Sequence, residues 1–192
     1  MKDLFRGELV RLTLEEPDVA AEAEARWQRD SEFVRLADSD PIQLSSEKRI
    51  REQFIERHVD KGFQPERYSF SVRTLAEDKL IGFFGLWVDL IHSNAWVGIG
   101  IGERDFWGKG YGTDMMKVCL RYAFSELGVQ RVSLGLHEYN VRALRSYEKA
   151  GFRLEGRTRK DMLREGMRTD TLWMGILREE WLGLDTDTAP VE

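Results

Sequence analysis

Between Tyr68 and Ile101 apolar residues recur at every second position, and the intervening connections are too short for anything but hairpins. Tyr68, Phe70 and Val72 alternate with Ser69, Ser71 and Arg73. Asp78-Lys79 marks a turn, Leu80 to Trp87 is a strongly apolar run, and Ser93-Asn94 marks a second turn. Val97, Ile99 and Ile101 then alternate with Gly98, Gly100 and Gly102. Such a run predicts an antiparallel meander. After Gly108 to Gly112 the period becomes helical: Met115, Cys119, Ala123 and Leu127 share one face, and Gly128 stands where a helix stops. Arg131 to His137 reads as a strand, Asn140 caps a helix that ends at Gly151, and the strands Phe152 to Arg157 and Arg168 to Leu177 turn near Glu165-Gly166. Upstream, a strand from Glu8 to Leu14 precedes helices at Asp18 to Arg29 and Ser45 to Val59, the latter capped by Ser46. The predicted order is β-α-α-β-β-β-α-β-α-β-β. It belongs to the α/β (α+β) class: a mixed, mostly antiparallel seven-stranded sheet flanked by helices. Residues 1–181 are expected to form one domain and 182–192 a flexible acidic tail.

Charge and cysteine usage narrow the chemistry. Twenty-nine Lys and Arg against 34 Asp and Glu leave a net charge of −5, which opposes gripping a nucleic-acid backbone. Charges interrupt the first residues too often for a signal peptide, and no run approaches the ~18–20 apolar residues of a membrane span. One cysteine, Cys119, makes neither an internal disulfide nor a Cys-rich zinc site, and a reducing cytoplasm is its natural setting. His58 and His92 lack metal-ligand spacing, so no metal centre is expected.

The densest chemical signal is Trp107-Gly108-Lys109-Gly110-Tyr111-Gly112-Thr113-Asp114, between a strand and a helix. Helix-start N–H groups lack intrahelical partners, the macrodipole is positive there, and glycines admit an anion close to the backbone. A Walker A loop is excluded, because five residues separate Gly102 from Gly108 and Gly110 follows Lys109. A dinucleotide fingerprint is excluded too: the spacing is G-x-G-x-G, after an antiparallel meander. By itself the segment is either an anion cradle or a glycine-rich turn. Asn140-Val141-Arg142-Ala143-Leu144-Arg145-Ser146-Tyr147-Glu148-Lys149-Ala150-Gly151-Phe152 is by itself explained as a capped helix with Ala143, Tyr147 and Ala150 on its packed face.

Together, Gly-Lys-Gly-Tyr-Gly-Thr-Asp, a helix, a strand and then Asn-x-x-Ala-x-x-x-Tyr-Glu-Lys-x-Gly-Phe resemble the GNAT superfamily of N-acetyltransferases. The likeness is greatest to its RimJ/RimL-type branch, and it extends from about Glu8 to Leu177. The resemblance implies an acetyl-CoA-dependent acyltransferase. Its cofactor pyrophosphate would rest on Trp107, Gly108, Lys109, Gly110, Tyr111, Gly112 and Thr113. The pantetheine arm would run along Gly100, Ile101 and Gly102 and meet Asn140. Arg145 and Lys149 would approach the phosphates, and Tyr147 would act as general acid toward the thioester sulfur. Trp107 replaces the family's usual Gln or Arg, which removes one side-chain donor. The family sheet splays between the strands matching Val97 to Ile101 and Val132 to His137, and the bare face of Gly98, Gly100 and Gly102 is compatible with a cofactor filling that gap.

Direct attack on a thioester needs a neutral amine, an oxyanion donor and a proton for the thiolate. A backbone N–H between Ile99 and Ile101 suits the second. Tyr147, with a reference pKa of ~10, stays protonated and can donate to a thiol of about 8.5. Many relatives carry a glutamate base where this chain has Gly135, so Glu138, Glu103 and His137 are the candidates. A weak base fits an α-amine of about 7.7–8.0 better than a Lys-like amine of ~10.4. The expected acceptor is therefore a protein N-terminus of ribosomal-protein type. The alternatives are a small amine, such as a polyamine or aminoglycoside-like compound, or a non-catalytic acyl-CoA-binding module. The acceptor is expected at the two N-terminal helices and their loop, where Glu32, Asp38 and Asp40 either attract a cation or are simply solvated, and where Trp27, Phe33 and Trp87 either line a pocket or fill the core. The resemblance leaves a homodimer open.

Overall fold

The period-two segments assemble into one seven-stranded sheet of order β1-β2-β3-β4-β5-β7-β6. Its strands are β1 (Val10–Thr13), β2 (Arg67–Thr74), β3 (Leu80–Asp89), β4 (Asn94–Ile101), β5 (Arg131–His137), β6 (Arg153–Arg164) and β7 (Met167–Leu177). The structure is a computed structural model and describes residues 3–56 and 64–184. Every neighbouring pair is antiparallel except β4 with β5. That parallel pairing covers three positions only, Asn94–Arg131, Ala95–Val132 and Trp96–Ser133. Beyond Trp96 the two strands part, and the sheet opens where the splay was expected.

The helices are α1 (Pro17–Gln28), α2 (Ser31–Ala37), α3 (Glu47–Ile55), α4 (Tyr111–Arg121), α5 (Val141–Lys149) and α6 (Arg178–Leu184). A π-helical turn, Tyr122–Glu126, extends α4. Two helices are additional to the predicted order. α2 occupies a stretch read as a loop, because seven residues barely establish a period; Asp30 caps it by accepting from the Glu32 and Phe33 N–H groups. α6 runs to Leu184, with Trp181 packed 5.2 Å from Phe124. The rest of the expected tail, 185–192, and the last part of the helix expected to reach Val59 lie outside the described residues. The caps follow the sequence: Ser46 Oγ accepts from the Arg49 N–H, and Asn140 Oδ1 from that of Ala143. β6 is longer than predicted; register shifts and a polar, exposed surface hide its alternation.

One face of the sheet packs Phe84, Leu86, Leu134 and Met174 against Met115, Met116, Cys119 and Leu120 of α4, with Tyr147 of α5 beside them. Burial pushes the Cys119 thiol well above its ordinary value. The opposite face carries α1, α2 and α3 through clusters around Trp27, Phe33, Val34 and Ile50. Asp114, in the first turn of α4, is buried and accepts from the backbone N–H groups of Glu8, Leu9 and Val10 at 3.0, 2.8 and 3.0 Å. A Cβ on Gly7 would stand 2.3 Å from its Oδ2, so the chain passes this carboxylate only as glycine. The glycine turn is thereby anchored to the edge of the sheet.

Candidate active site

A cavity of about 820 Å3 runs through the opening between β4 and β5. At one mouth lies the glycine turn. Gly108 (φ 72°) and Gly110 (φ 94°) take left-handed backbone, which favours glycine, and no atom stands within 4 Å of where a Gly108 Cβ would project. Gly108, Gly110, Gly112 and Thr113 line the cavity. The first N–H groups of α4 have no intrahelical partner there. Facing them on α5, Arg142, Arg145, Ser146 and Lys149 line the same mouth, and Ser146 Oγ lies 3.0 Å from Thr113 Oγ1. Backbone donors, positive dipole and cations converge on one open space, and these residues fit a pyrophosphate.

Midway stand Ile99, Ile101 and Tyr147. The Gly102 N–H donates to Ile81 O, inside the β3 ladder, so alternation turns the polar groups of Ile99 and Ile101 to the open edge of β4. Tyr147 is 8% exposed, and burial, with Cys119 nearby as a smaller cause, raises its phenol above the ordinary value of 10.0. Its proton is held firmly at neutral pH.

The far chamber lies over the α1–α3 face. Its floor includes Arg67, Ser69 and Ser71 of β2, Phe83 and Trp87 of β3 and Trp173 of β7. Phe33 and Leu36 of α2 and Met162 of β6 contribute walls. The chain from Arg35 to Asp38, at the end of α2, is strapped across it. Tyr139 Oη donates to Arg35 O, Asn140 Nδ2 to Leu36 O, and His137 Nε2 and Arg164 Nη2 to Asp38 O, at 2.8, 3.2, 3.1 and 2.5 Å.

A family model for the GNAT acetyltransferase domain matches residues 10–153. The chain belongs to this family. A “Probable N-acetyltransferase YjcK” of Bacillus subtilis is 32% identical over 117 residues, 60% of this chain and 64% of that protein. A “Putative ribosomal N-acetyltransferase YdaF” of the same organism is 31% identical over 110 residues, 57% of this chain and 60% of its own length. The chain thus spans somewhat under two thirds of these two relatives. Among solved structures, spermidine N-acetyltransferase from Vibrio cholerae in complex with CoA and spermine superimposes with a TM-score of 0.77 at 22% identity, covering 90% of this chain and 98% of that one. GNAT acetyltransferases use acetyl-CoA, and the mouth described above has the chemistry to hold it.

Within this GNAT domain several of the residues singled out in the sequence line the cavity and others do not. Trp107 and the turn glycines, Arg145, Lys149, Asn140 and Tyr147 all line the cavity. Lys109 and Tyr111 belong to the turn but do not line it; the Tyr111 ring packs 5.0 Å from Phe106. The bare glycine face of β4 is not open to cofactor. A Cβ on Gly102 would lie 2.1 Å from the Trp27 ring, one on Gly100 2.7 Å from Phe83, and Trp87 covers Gly98. The glycines admit aromatic rings, and the cofactor arm is left the strand edge. Even there, Ile101 O already accepts from Trp107 Nε1 at 2.6 Å. Asn140 is likewise committed on both ends of its amide.

Glu138 is displaced from the reaction site. Its carboxylate accepts from the Asp170 N–H at 2.8 Å and pairs with Arg157 at 3.1 Å, outside the cavity lining. Glu103 is equally engaged: burial pulls its carboxyl upward, but hydrogen bonds from Trp27, Arg26 and Lys79 outweigh this and hold it below the usual range. Gly135, where a family base was sought, leaves room for Trp173, whose ring would meet a Cβ at 2.7 Å. His137 remains in the lining. A carbonyl only accepts, so Nε2 carries the proton and Nδ1 the lone pair, buried and unpartnered. Burial lowers its pKa, so the ring is neutral at pH 7. In the acidic loop Glu32 pairs with Arg104 at 2.7 Å, Asp38 accepts from the Asp40 N–H, and Glu32, Asp38 and Asp40 are absent from the cavity lining, whose carboxylates are Glu24 and Asp161.

Arg142 was missed. Its guanidinium lies 3.9 Å above the Trp107 ring, so it supplies a cation at the position where the family's Gln or Arg donor is absent. The signal was available: Arg142, Ser146 and Lys149 fall at helical spacing on one face of α5.

Proposed function

We propose that the chain is an acetyl-CoA-dependent N-acetyltransferase acting on a small primary amine in the cytoplasm. The observation that carries this reading is one continuous cavity joining the glycine turn to the aromatic chamber through the splayed sheet. Small-molecule sites span about 300–1,000 Å3, and about 820 Å3 must hold both reactants, which leaves room for a compact acceptor. The strap from Arg35 to Asp38 further favours a small molecule over a polypeptide.

When bound, acetyl-CoA supplies a thioester-activated acetyl group. The α4 N-terminus with Arg142, Arg145 and Lys149 neutralises its phosphates. The Ile99 and Ile101 N–H groups at the open strand edge are the donors for negative charge developing on the acyl oxygen. The Tyr147 phenol, kept protonated by burial, would give its proton to the departing sulfur and regain one through water from the nitrogen, which sheds a proton once the C–N bond has formed. Glu138 and Glu103 are engaged by other partners, and Asp161, which lines the cavity, accepts from Thr171 Oγ1, so the amine enters neutral, losing its proton to water.

Release of CoA thiol from acetyl-CoA, followed across amines and peptides, tests the reading. Tyr147→Phe should lower kcat about 10²–10⁴-fold while CoA binding persists. Turnover of peptides alone would reject the small acceptor, and unchanged turnover in Tyr147→Phe would reject the proton donor. The name of the relative YdaF favours a second reading, the ribosomal-protein N-terminus and with it the RimJ/RimL-type branch. A protein that binds CoA without any turnover would favour the non-catalytic module.

A further inference from the structure

Arg67 opens β2 directly opposite Trp87 of β3, and both line the far chamber. Its guanidinium lies 5.7 Å from the Trp87 ring centroid. Its Nε is buried with no hydrogen-bond partner, and no carboxylate lies within ion-pair distance among the described residues. Other partly buried arginines of this protein have acceptors: Arg73 pairs with Glu15 and Arg131 with Glu155, and Arg121 and Arg164 donate to the backbone carbonyls of Arg6 and Asp38. A half-buried charge without a counter-charge carries part of the cost of a buried one, and that cost falls when a ligand supplies the missing anion. Ser69 and Ser71 follow on the same face of β2, leading from Arg67 toward the opening.

We infer that Arg67 is the specificity residue of the acceptor site and that the acceptor carries a carboxylate at the end remote from its reacting amine. This rests on the small-amine reading above. The register sets the length. Ile99 aligns through Phe84 with Phe70, three residues along β2 from Arg67 and two strands across. That is about 10 Å along the strands and about 10 Å across them. The arginine side chain covers part of this span, and the acceptor covers the rest. An α-amino acid is too short, whereas a flat apolar body with the two groups at opposite ends fits between Trp87, Phe83 and Trp173. At Arg67 itself a polycation would meet a like charge; the carboxylates of the cavity lining are Glu24 and Asp161.

The test compares 4-(aminomethyl)benzoate with benzylamine, which lacks only the carboxylate, and with phenylalanine, whose carboxylate sits beside the amine. Wild type should prefer 4-(aminomethyl)benzoate over benzylamine by about 10- to 100-fold in kcat/KM, chiefly through KM. Arg67→Gln should bring that ratio near unity while still acetylating benzylamine, which also reports that the variant is folded. Arg67→Lys should restore part of the preference. Equal use of the two amines by wild type, or a preference that survives Arg67→Gln, overturns the inference. If neither amine is acetylated, calorimetry with 4-(acetamidomethyl)benzoate and N-benzylacetamide decides. Arg67-dependent preference for the carboxylate upholds the site and removes only the small-amine transferase reading. Indifference to the carboxylate overturns the site.

Discussion

Individual side chains in this protein are decided by what stands against them. Gly102 looks like a residue kept small for a cofactor, yet its missing Cβ is occupied by the Trp27 ring. Gly102→Ala should destabilise the fold by about 1–3 kcal/mol, read by denaturant titration, because overpacking forces the ring or the strand to move. Glu138 looks like a base at a strand end, yet it is spent on Arg157 and the Asp170 backbone. Glu138→Gln should leave kcat/KM for the best acceptor unchanged; a large fall would return this carboxylate to the reaction. The exposed ion pair with Arg157 contributes little stability of its own. Tyr147 stands on the cavity wall, where burial raises its pKa.

Elements matter here through their ends. The start of α4 carries the turn glycines on one side and Asp114 on the other, and Asp114 is tied to three N–H groups around the start of β1. Asp114→Ala would orphan those donors, at about 1–3 kcal/mol for each one left buried. An overall loss of about 3 kcal/mol or more is expected in chemical denaturation, with weaker CoA binding because the turn loses its anchor. Retention of both stability and affinity would show that water replaces the carboxylate. The end of α2 is organised in the opposite sense: its free carbonyls accept from Tyr139 and Asn140, which stand just beyond β5. The β5–α5 corner that lines the cavity thus also holds the strap over the far chamber.

At the scale of the whole molecule, distant strands and helices are joined by partly buried ion pairs whose charge depends on pH. Arg73 accounts for the largest part of the downward shift of Glu15, whose carboxyl is held below its ordinary 4.5, with Thr13 assisting against the opposing effect of burial. A depressed folded-state pKa contributes stability that is present above the unfolded value and lost as pH falls through the folded one. Thermal stability should therefore decline below about pH 4.5, and Glu15→Gln should flatten that part of the curve. An acid limb identical in wild type and variant would assign the loss to other carboxylates. His137 adds in the same direction at higher pH. Burial lowers its pKa beneath 6.5, so protonating the unfolded chain first costs stability as pH drops past that value.

Alternation, caps and glycine punctuation are local, and local physics made them readable in the chain: the meander, the Ser46 and Asn140 caps, and the stops at Gly128 and Gly151 all needed only near neighbours in sequence. The paired motifs on α4 and α5 were readable for the same reason. Contacts between residues far apart in the chain left no periodic trace. Arg67 against Trp87, Trp27 against Gly102, Glu138 against Arg157 and the strap on the β5–α5 corner arise only when the sheet brings distant strands side by side. Sequence determined the fold and the cofactor mouth, because both are built from repeating backbone chemistry. Tertiary structure decided the lining of the far chamber and which of its charges meet a partner, because these depend on which side chains stand against one another across the packed sheet.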